Sequence, residues 1–320
     1  MGKKLVIGAS GQIGIELIDK LITKYGIDQV IATDIKPQSD FFEDGVMSLQ
    51  LDVLDKIKLF DIIKDNDVSE VYLLAALLSA VSEKKIQSAW DLNMKGLFNI
   101  LELAREKHIQ RVFWPSSIAV FGTSSPMNDT PQRTILEPLT VYGISKMAGE
   151  RWCEYYYEKF NVDVRSLRYP GIISYKGQPG GGTTDYAVDI FYSAIENQEY
   201  RCFLEKNTQL PMMFMDDAIR ATMEIMDAER SSLSINSSYN IAAMDFTPKQ
   251  LANEITKHID NFKISYEPDF RNKIAQSWPN SINDRCARKD WGWKHHFDIQ
   301  KTTSTMIEAI QKNKFNESYK

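Results

Sequence analysis

The glycine-rich segment Gly8-Ala9-Ser10-Gly11-Gln12-Ile13-Gly14 constrains the fold more than any other feature of the sequence. It follows the apolar run Lys3 to Ile7, which predicts a buried strand, and precedes apolar residues at helical spacing from Ile15 to Ile22. Glycines between a strand and a helix let the backbone turn tightly and approach a diphosphate, to which the start of the helix offers unpaired N–H groups. The segment therefore predicts the first unit of a dinucleotide-binding fold, with a plain tight turn as the alternative.

Five further apolar segments, separated by stretches with helical spacing, are predicted to be strands of the same sheet. They are Gln29–Thr33, Met47–Val53, Val71–Ala76, Arg111–Pro115 and Val164–Tyr169. Strands that alternate with helices from the first residues onward favour a parallel, doubly wound sheet. The predicted fold class is α/β, a Rossmann-type doubly wound parallel sheet with a smaller C-terminal substrate-binding lobe.

The chain changes character after residue 175. A glycine-rich loop at 177–185 is followed by short strands and helices in mixed order. We predict a dinucleotide-binding domain at residues 1–175, to which some later segments return, and a lobe at 176–320 that mainly binds substrate. Within that lobe, Met212–Asp217 is predicted to be a strand that ends in the N-cap of the helix Ala218–Met226.

Acidic residues end the second and third predicted strands. Asp34 lies 20 positions after Gly14, where a dinucleotide fold places the carboxylate that binds the adenosine ribose hydroxyls. This carboxylate would repel a 2′-phosphate and no arginine adjoins it, so NAD is favoured over NADP, although Lys36 is a nearby cation. Asp52 could accept a hydrogen bond from the adenine amino group, or it could cap the helix that follows.

Tyr142 and Lys146 are four residues apart and therefore share one face of a helix. A positive charge beside a phenol is expected to lower its pKa, which would make Tyr142 a general base. Ser117 ends the fifth predicted strand 25 positions earlier, and its hydroxyl could hold a substrate oxygen beside the tyrosine. The alternatives are a surface helix with two amphipathic side chains and a serine that only caps a helix or turn.

The loop at 177–185 contains four glycines and ends in Thr183-Thr184-Asp185. Flexible backbone followed by two hydroxyl side chains predicts a closing loop that makes polar contacts. A linker in which a threonine caps the next helix is the alternative.

Composition and charge exclude several functions. The net charge of −5 and the absence of a basic cluster make nucleic acid an unexpected partner. No apolar run approaches the roughly 20 residues that span a bilayer. Three scattered cysteines without a CxxC pair, and a first strand too close to Met1 to leave room for a leader, favour the reducing cytoplasm. The pair His295-His296 near Cys286 matches no usual zinc spacing, so no metal is predicted.

Together, the glycine segment, the two strand-end acids, Ser117, Tyr142 and Lys146 resemble the extended short-chain dehydrogenase/reductase superfamily, the group of UDP-galactose 4-epimerase. Three longer segments are similar to the non-metal L-threonine 3-dehydrogenases. They are PSSIAVFG at 115–122, LRYPGII at 167–173 and GGGTTDYAV at 180–188. The resemblance covers nearly the whole chain, and GGGTTDYAV is its specific part.

The resemblance implies NAD-dependent oxidation of the L-threonine 3-hydroxyl to 2-amino-3-oxobutanoate, in threonine catabolism towards glycine or aminoacetone. It also implies a zinc-independent homo-oligomer, commonly a dimer through the helices flanking the Tyr142–Lys146 face. The expected cofactor contacts are Gly8, Ser10, Gly11, Gln12, Ile13, Gly14, Asp34, Asp52, Val53, Leu74, Ala75, Ala76, Asn93, Tyr142, Lys146 and Ile172. The expected substrate contacts are Ser79, Ser117, Tyr142, Thr183, Thr184 and Trp278.

Two other functions fit the same sequence. A sugar-nucleotide epimerase or dehydratase would use the same tyrosine and hold NAD tightly, with Arg220 and Arg285 as candidate partners of the substrate diphosphate. A non-catalytic NAD-sensing module would need no phenol–ammonium pair, which argues against it.

Overall fold

The computed structural model describes residues 2–36, 42, 44–177 and 180–317, with side chains to residue 313. The strands within these residues are β1 (Lys3–Ile7), β2 (Val30–Asp34), β3 (Met47–Gln50), β4 (Val68–Leu73), β5 (Arg111–Phe113), β6 (Ser116–Ser117), β7 (Asp163–Arg165), β8 (Leu167–Tyr169), β9 (Gly171–Ile173), β10 (Glu199–Cys202), β11 (Leu210–Phe214), β12 (Tyr239–Asn240), β13 (Met244–Phe246) and β14 (Lys263–Tyr266). The α-helices are α1 (Gln12–Tyr25), α2 (Lys56–Asp65), α3 (Ser79–Lys84), α4 (Ile86–Trp90), α5 (Gly96–Arg105), α6 (Val141–Phe160), α7 (Tyr186–Asn197), α8 (Met215–Asp227), α9 (Pro248–Ile255), α10 (Phe270–Gln276), α11 (Arg285–Trp291) and α12 (Ile299–Glu317).

The main sheet has six strands in the order β3-β2-β1-β4-β5-β7, and all neighbours are parallel. This confirms the predicted doubly wound α/β fold. The strand order reverses between β1 and β4, and ligands of such sheets bind outside the carboxyl ends of the strands at that point. This strand order therefore predicts a ligand site at the carboxyl ends of β1 and β4.

Both faces of the main sheet are covered by apolar core. Leu5 and Ile7 of β1 belong to the core on one face and Val6 to the core on the other, as the two-residue period of a strand requires. The second of these cores also includes Ile219 and Ile225 of α8. A segment beyond residue 175 thus packs on the main sheet, and the boundary at 175 itself stays a prediction.

Three smaller sheets extend the fold. They are β12-β8-β6, β13-β11-β9 and β10-β14. Strands β11 and β13 pair antiparallel, and the other neighbours in these sheets pair parallel. The prediction of one strand over Val164–Tyr169 is wrong, because the chain leaves the main sheet at Ser166 and β8 pairs with β6 instead. Arg165 fixes this change of sheet by donating to the carbonyls of Ile225 and Met226 near the end of α8.

The predicted acidic N-cap of the helix after β11 is also wrong. The helix α8 begins at Met215, directly after the strand, and its N-cap Phe214 makes no side-chain cap. Asp217 instead accepts hydrogen bonds from the backbone N–H groups of His296 and Phe297. The carboxylate therefore fastens a distant segment to α8.

Candidate active site

A cavity of about 680 Å³ lies beyond the carboxyl ends of β1, β4 and β5. Its wall includes most of the predicted contacts, namely Gly8, Ser10, Gly11, Gln12, Ile13, Gly14, Leu74, Ala76, Ser79, Ser117, Tyr142, Lys146, Ile172, Thr183, Thr184 and Trp278. Five predicted residues are not part of that wall, namely Asp34, Asp52, Val53, Ala75 and Asn93. The cavity thus joins the glycine segment, the Tyr142 helix and the loop at 180–185, which are far apart in the chain.

The glycine segment forms a cradle that has no room for a side chain at Gly8 or Gly14. Gly8 has φ +87°, and a Cβ added to it would lie 2.6 Å from the backbone nitrogen of Ala75. A Cβ on Gly14 would lie 2.5 Å from the carbonyl oxygen of Gly8. The N-cap Gly11 supplies no side-chain acceptor, so no side chain caps the first N–H groups of α1. This geometry fits the diphosphate of a dinucleotide.

Asp34 lies beside this cradle. Its Oδ2 accepts from the N–H of Ser10 at 3.1 Å, and its Oδ1 accepts from the N–H of Lys36 at 3.3 Å. The carboxylate at the end of β2 is therefore held next to the glycine loop, in the place where a ribose-binding acid is expected.

The residues after β3 are placed differently. Asp52 is exposed and accepts from the N–H of Leu54, while the cap of α2 is Asp55, which accepts from Lys58. The alternative that Asp52 caps this helix is wrong, and its contact with adenine stays a prediction. The Val53 side chain is 2% exposed and belongs to the core.

Asn93 is not part of the cavity wall, and its side chain connects two segments beside the site. Its Oδ1 accepts from the N–H of Leu77 at 3.0 Å, and its Nδ2 bonds to the hydroxyl of Ser145 at 3.1 Å. It lies in a π-helical turn at Asp91–Lys95, a feature often found at functional sites. The buried amide thus ties the loop after β4 to α6, which carries Tyr142.

Tyr142 and Lys146 share one face of α6, and Thr140 caps that helix by accepting from Gly143. Burial raises the pKa of Tyr142 to about 12, and a hydrogen bond with the Ser117 side chain acts in the opposite direction. Burial lowers the pKa of Lys146 to about 7. The Lys146 ammonium donates to the carbonyl of Pro115 at 2.6 Å and lies 5.5 Å from the Tyr142 ring centroid. The predicted lowering of the Tyr142 pKa is therefore wrong here, because desolvation outweighs the hydrogen bond from Ser117.

Ser79 and Thr183, two of the predicted substrate contacts, are neighbours in the cavity wall. The hydroxyl oxygens of Ser79 and Thr183 are 3.3 Å apart, and both side chains are buried. The residue before α7 is Asp185, which accepts from Gly181 and Gly182. The alternative that a threonine caps this helix is wrong. Of this loop, Gln178 and Pro179 lie outside the described residues.

Lys176 lines the cavity and was not predicted. Its ammonium is 3.1 Å from a carboxylate oxygen of Glu16 and 3.0 Å from one of Asp19, both on α1. Gln12 adds a hydrogen bond to the carbonyl of Gly177 at 3.0 Å, across 165 positions of sequence. No periodic pattern or motif links segments so far apart, so only the fold could reveal this contact.

The model of the NAD dependent epimerase/dehydratase family matches residues 4–242. The chain belongs to this family. Its cofactor is NAD, and the predicted resemblance to the epimerase group of the extended short-chain superfamily is confirmed.

Relatives and solved structures cover nearly the whole chain. An uncharacterized epimerase/dehydratase of Staphylococcus aureus (strain USA300) is 45% identical over 314 residues, 97% of each chain. The GalE-like L-threonine dehydrogenase from Cupriavidus necator (holo form) is 51% identical with TM-score 0.94, covering 96% of this chain and 99% of that one. The L-threonine dehydrogenase from Clostridium difficile is 44% identical with TM-score 0.94, covering 98% of each. A UDP-glucose 4-epimerase from Thermotoga maritima, 20% identical with TM-score 0.82 over 97% of this chain and 99% of that one, shares the fold. The likenesses to the two L-threonine dehydrogenases, together with the family, support an oxidoreductase.

Within the described residues, no group of three or more histidine, cysteine, aspartate or glutamate side chains could hold a metal ion. No helix in that part of the chain combines the length and apolar character needed to cross a membrane.

Proposed function

We propose that the protein is an NAD-dependent L-threonine 3-dehydrogenase, which oxidises the 3-hydroxyl of L-threonine to 2-amino-3-oxobutanoate. The observation that carries the proposal is the shared cavity, which is lined both by Ser117, Tyr142 and Lys146 and by the buried side chains of Ser79 and Thr183. The likeness to solved L-threonine dehydrogenases over nearly the full chain supports the choice of substrate.

The glycine cradle and Asp34 would hold the dinucleotide, with Ile172 beside it. When bound, NAD supplies the acceptor for the hydride that leaves C3 of threonine. Tyr142 would take the proton of the 3-hydroxyl, and general-base help of this kind contributes about 10²- to 10⁴-fold in rate. Ser117 would orient that hydroxyl and favour the phenolate through its hydrogen bond to Tyr142.

Lys146 would hold the ribose hydroxyls of the cofactor and stabilise the phenolate by its charge. Because burial lowers its pKa to about 7, Lys146 can also release and regain a proton near neutral pH. The threonine carboxylate needs hydrogen-bond donors, and Ser79, Thr183 and Thr184 provide hydroxyls among the residues that line the cavity. The product is a β-keto acid that readily loses CO₂ to give aminoacetone.

The reaction can be tested by following NADH absorbance with the purified chain, L-threonine and NAD. We expect NADH to form with L-threonine but not with L-allo-threonine, and NADP to be a poor substitute. Activity that survives treatment with a metal chelator would support the proposed independence from zinc. Binding of NAD without NADH formation would refute the dehydrogenase.

The sugar-nucleotide alternative needs cations for a second diphosphate. Arg220, one of the two candidates, is occupied by Asp217 and Glu224, each at 2.7 Å. An isomerised UDP-sugar without net NADH would favour this alternative. Bound NAD with neither reaction would favour the sensing module.

We also propose that the chain forms a homodimer through α4 and α6. Bulky apolar side chains are exposed on both helices, including Trp90 and Trp152, each 40% exposed. Such a face is typical of an interaction surface. A relative described as a monomeric L-threonine 3-dehydrogenase from a metagenome is 48% identical with TM-score 0.93, so the fold by itself does not decide the state. Light scattering should give the mass of a dimer, and Trp152→Glu should give that of a monomer.

A further inference from the structure

Glu150 and Arg168 form a buried ion pair two turns along α6 from Tyr142. Their side chains make two hydrogen bonds, Nε to Oε1 at 2.8 Å and Nη2 to Oε2 at 2.6 Å. Glu150 is 0% exposed and Arg168 3% exposed. Removing two charges from water is costly, and apolar residues of similar size often serve stability equally well. Stability alone is therefore a weak reason for this pair.

The Glu150–Arg168 pair is hydrogen-bonded to the strand segment that carries Ser117. The hydroxyl of Ser116 donates to Oε1 of Glu150 at 2.6 Å, and one turn earlier Lys146 donates to the carbonyl of Pro115 at 2.6 Å. Two residues of α6 thus hold two consecutive residues of the segment. Because side chains alternate along a strand, fixing Ser116 towards Glu150 turns Ser117 to the other side, towards Tyr142.

Arg168 is anchored from the opposite direction. Its Nη1 donates to the carbonyl of Gln132 at 2.9 Å and to Oδ1 of Asn240 at 3.1 Å. In the β6–β8 pairing, Arg168 is the register partner of Ser116. These contacts hold the Arg168 guanidinium in place, and the guanidinium in turn sets the position of the Glu150 carboxylate.

We propose that Glu150, held by Arg168, is a positioning residue that fixes Ser117 and the Pro115 carbonyl against Tyr142 and Lys146. It acts through Ser116, and neither charged side chain lines the described cavity. The role rests on the proposed dehydrogenase function, since Ser117 and Tyr142 are its reacting partners. Small displacements of such groups lower turnover by up to about 10²-fold.

Ser116→Ala tests the link without breaking the ion pair. The variant loses the hydroxyl that joins the segment to Glu150. Because Ser116 also lines the cavity, an unchanged Kd for NAD separates lost positioning from a lost cofactor contact. We expect kcat for L-threonine to fall by about 10- to 100-fold, while the Kd for NAD, measured by calorimetry, stays within about twofold. An unchanged kcat in a folded, NAD-binding Ser116→Ala variant would overturn the proposal.

Ser166→Ala is the matched control. It also removes a buried serine hydroxyl, the one that bonds to Ser238, next to the same strand β8 but away from the cavity. It should destabilise the protein to a similar extent and leave kcat unchanged. If Ser166→Ala lowers kcat equally, the effect of Ser116→Ala reflects general destabilisation of the protein, and the proposal is overturned.

Hydrogen exchange of the ligand-free chain separates this proposal from the proposed function. Ser116→Ala should speed amide exchange in residues 116–121 by at least about tenfold relative to Ser166→Ala. Faster exchange in a chain whose parent binds NAD but does not oxidise threonine would reject the dehydrogenase and keep the positioning role. Unchanged exchange together with an unchanged kcat would reject the positioning role alone.

Discussion

The two halves of the cavity differ in the groups that form them: the half that would bind the cofactor is mostly backbone, and the half that would carry out the chemistry consists of side chains. The cofactor half is mostly backbone, the seven-residue glycine segment that runs from the end of β1 into the first turn of α1, in which Gly8 and Gly14 leave no space for a Cβ. The chemical half consists of side chains from separate segments, with Tyr142 and Lys146 on α6, Ser117 on β6 and Thr183 in the loop before α7.

This difference decides how each half responds to burial. Backbone N–H groups keep their charge distribution wherever they lie, so the cradle is ready to bind an anion. Side chains that ionise are sensitive to their surroundings, and burial moves the pKa of Tyr142 up and that of Lys146 down. Each shift disfavours the charged form, so the chemical half must gain its reactivity from specific contacts such as the Ser117 hydrogen bond.

Loss of the phenol should have the largest effect, and only in the chemical half. Tyr142→Phe is expected to lower kcat by about 10³-fold or more while the Kd for NAD changes by less than about fivefold. Steady-state rates and calorimetry measure the two. Tyr157→Phe, on the same helix with its ring against Arg230, should keep full activity. A Tyr142→Phe enzyme that retains its kcat would remove this residue from the base role.

The cradle should show the opposite pattern. A Cβ on Gly11 has room in the protein, with its nearest neighbour at 3.4 Å, whereas a Cβ on Gly14 meets carbonyl oxygens at 2.5 Å. We expect Gly11→Ala to weaken NAD binding by about tenfold or more without lowering the melting temperature, since the methyl enters the space of the diphosphate. Gly14→Ala should lower the melting temperature as well. Unaltered NAD binding by Gly11→Ala would place the diphosphate elsewhere.

Asp34 tests whether a side chain adds selectivity to the backbone cradle. Asp34→Asn removes the negative charge that would repel a 2′-phosphate and keeps the side-chain size. The ratio of kcat/KM for NAD to that for NADP should fall by about tenfold, a difference of ~1.4 kcal/mol. A constant ratio would show that another group selects the cofactor.

Lys146 should impose a pH-dependent cost on the free energy of folding. Its pKa is lowered from 10.5 to about 7, so between these values the unfolded chain binds more protons and stability gains from rising pH. Relative to the parent, Lys146→Met should therefore raise the free energy of unfolding most below pH 7. This gain in the free energy of unfolding should decrease by at least about 1.4 kcal/mol by pH 10, which is equivalent to one pKa unit.

Denaturant unfolding of both proteins across this pH range measures the difference. All other titrating groups are common to the two proteins and cancel to first order. A difference that stays constant with pH would mean that Lys146 titrates in the folded protein as it does in water.

The sequence by itself determined the features that repeat locally or follow a motif. The period of apolar residues predicted the parallel sheet, seven residues predicted the cradle, and the spacing of Tyr142 and Lys146 predicted their shared helix face. These succeed because hydrogen bonding and burial within a strand–loop–helix unit depend on neighbouring residues.

Only the tertiary structure decided how distant segments combine. It turned Asn93 towards Leu77 and Ser145, divided a predicted strand at Ser166, joined Lys176 to α1 and enclosed Glu150 with Arg168. It also reversed the expected direction of the Tyr142 pKa, because desolvation depends on everything packed around a group and not on the residue one helical turn away.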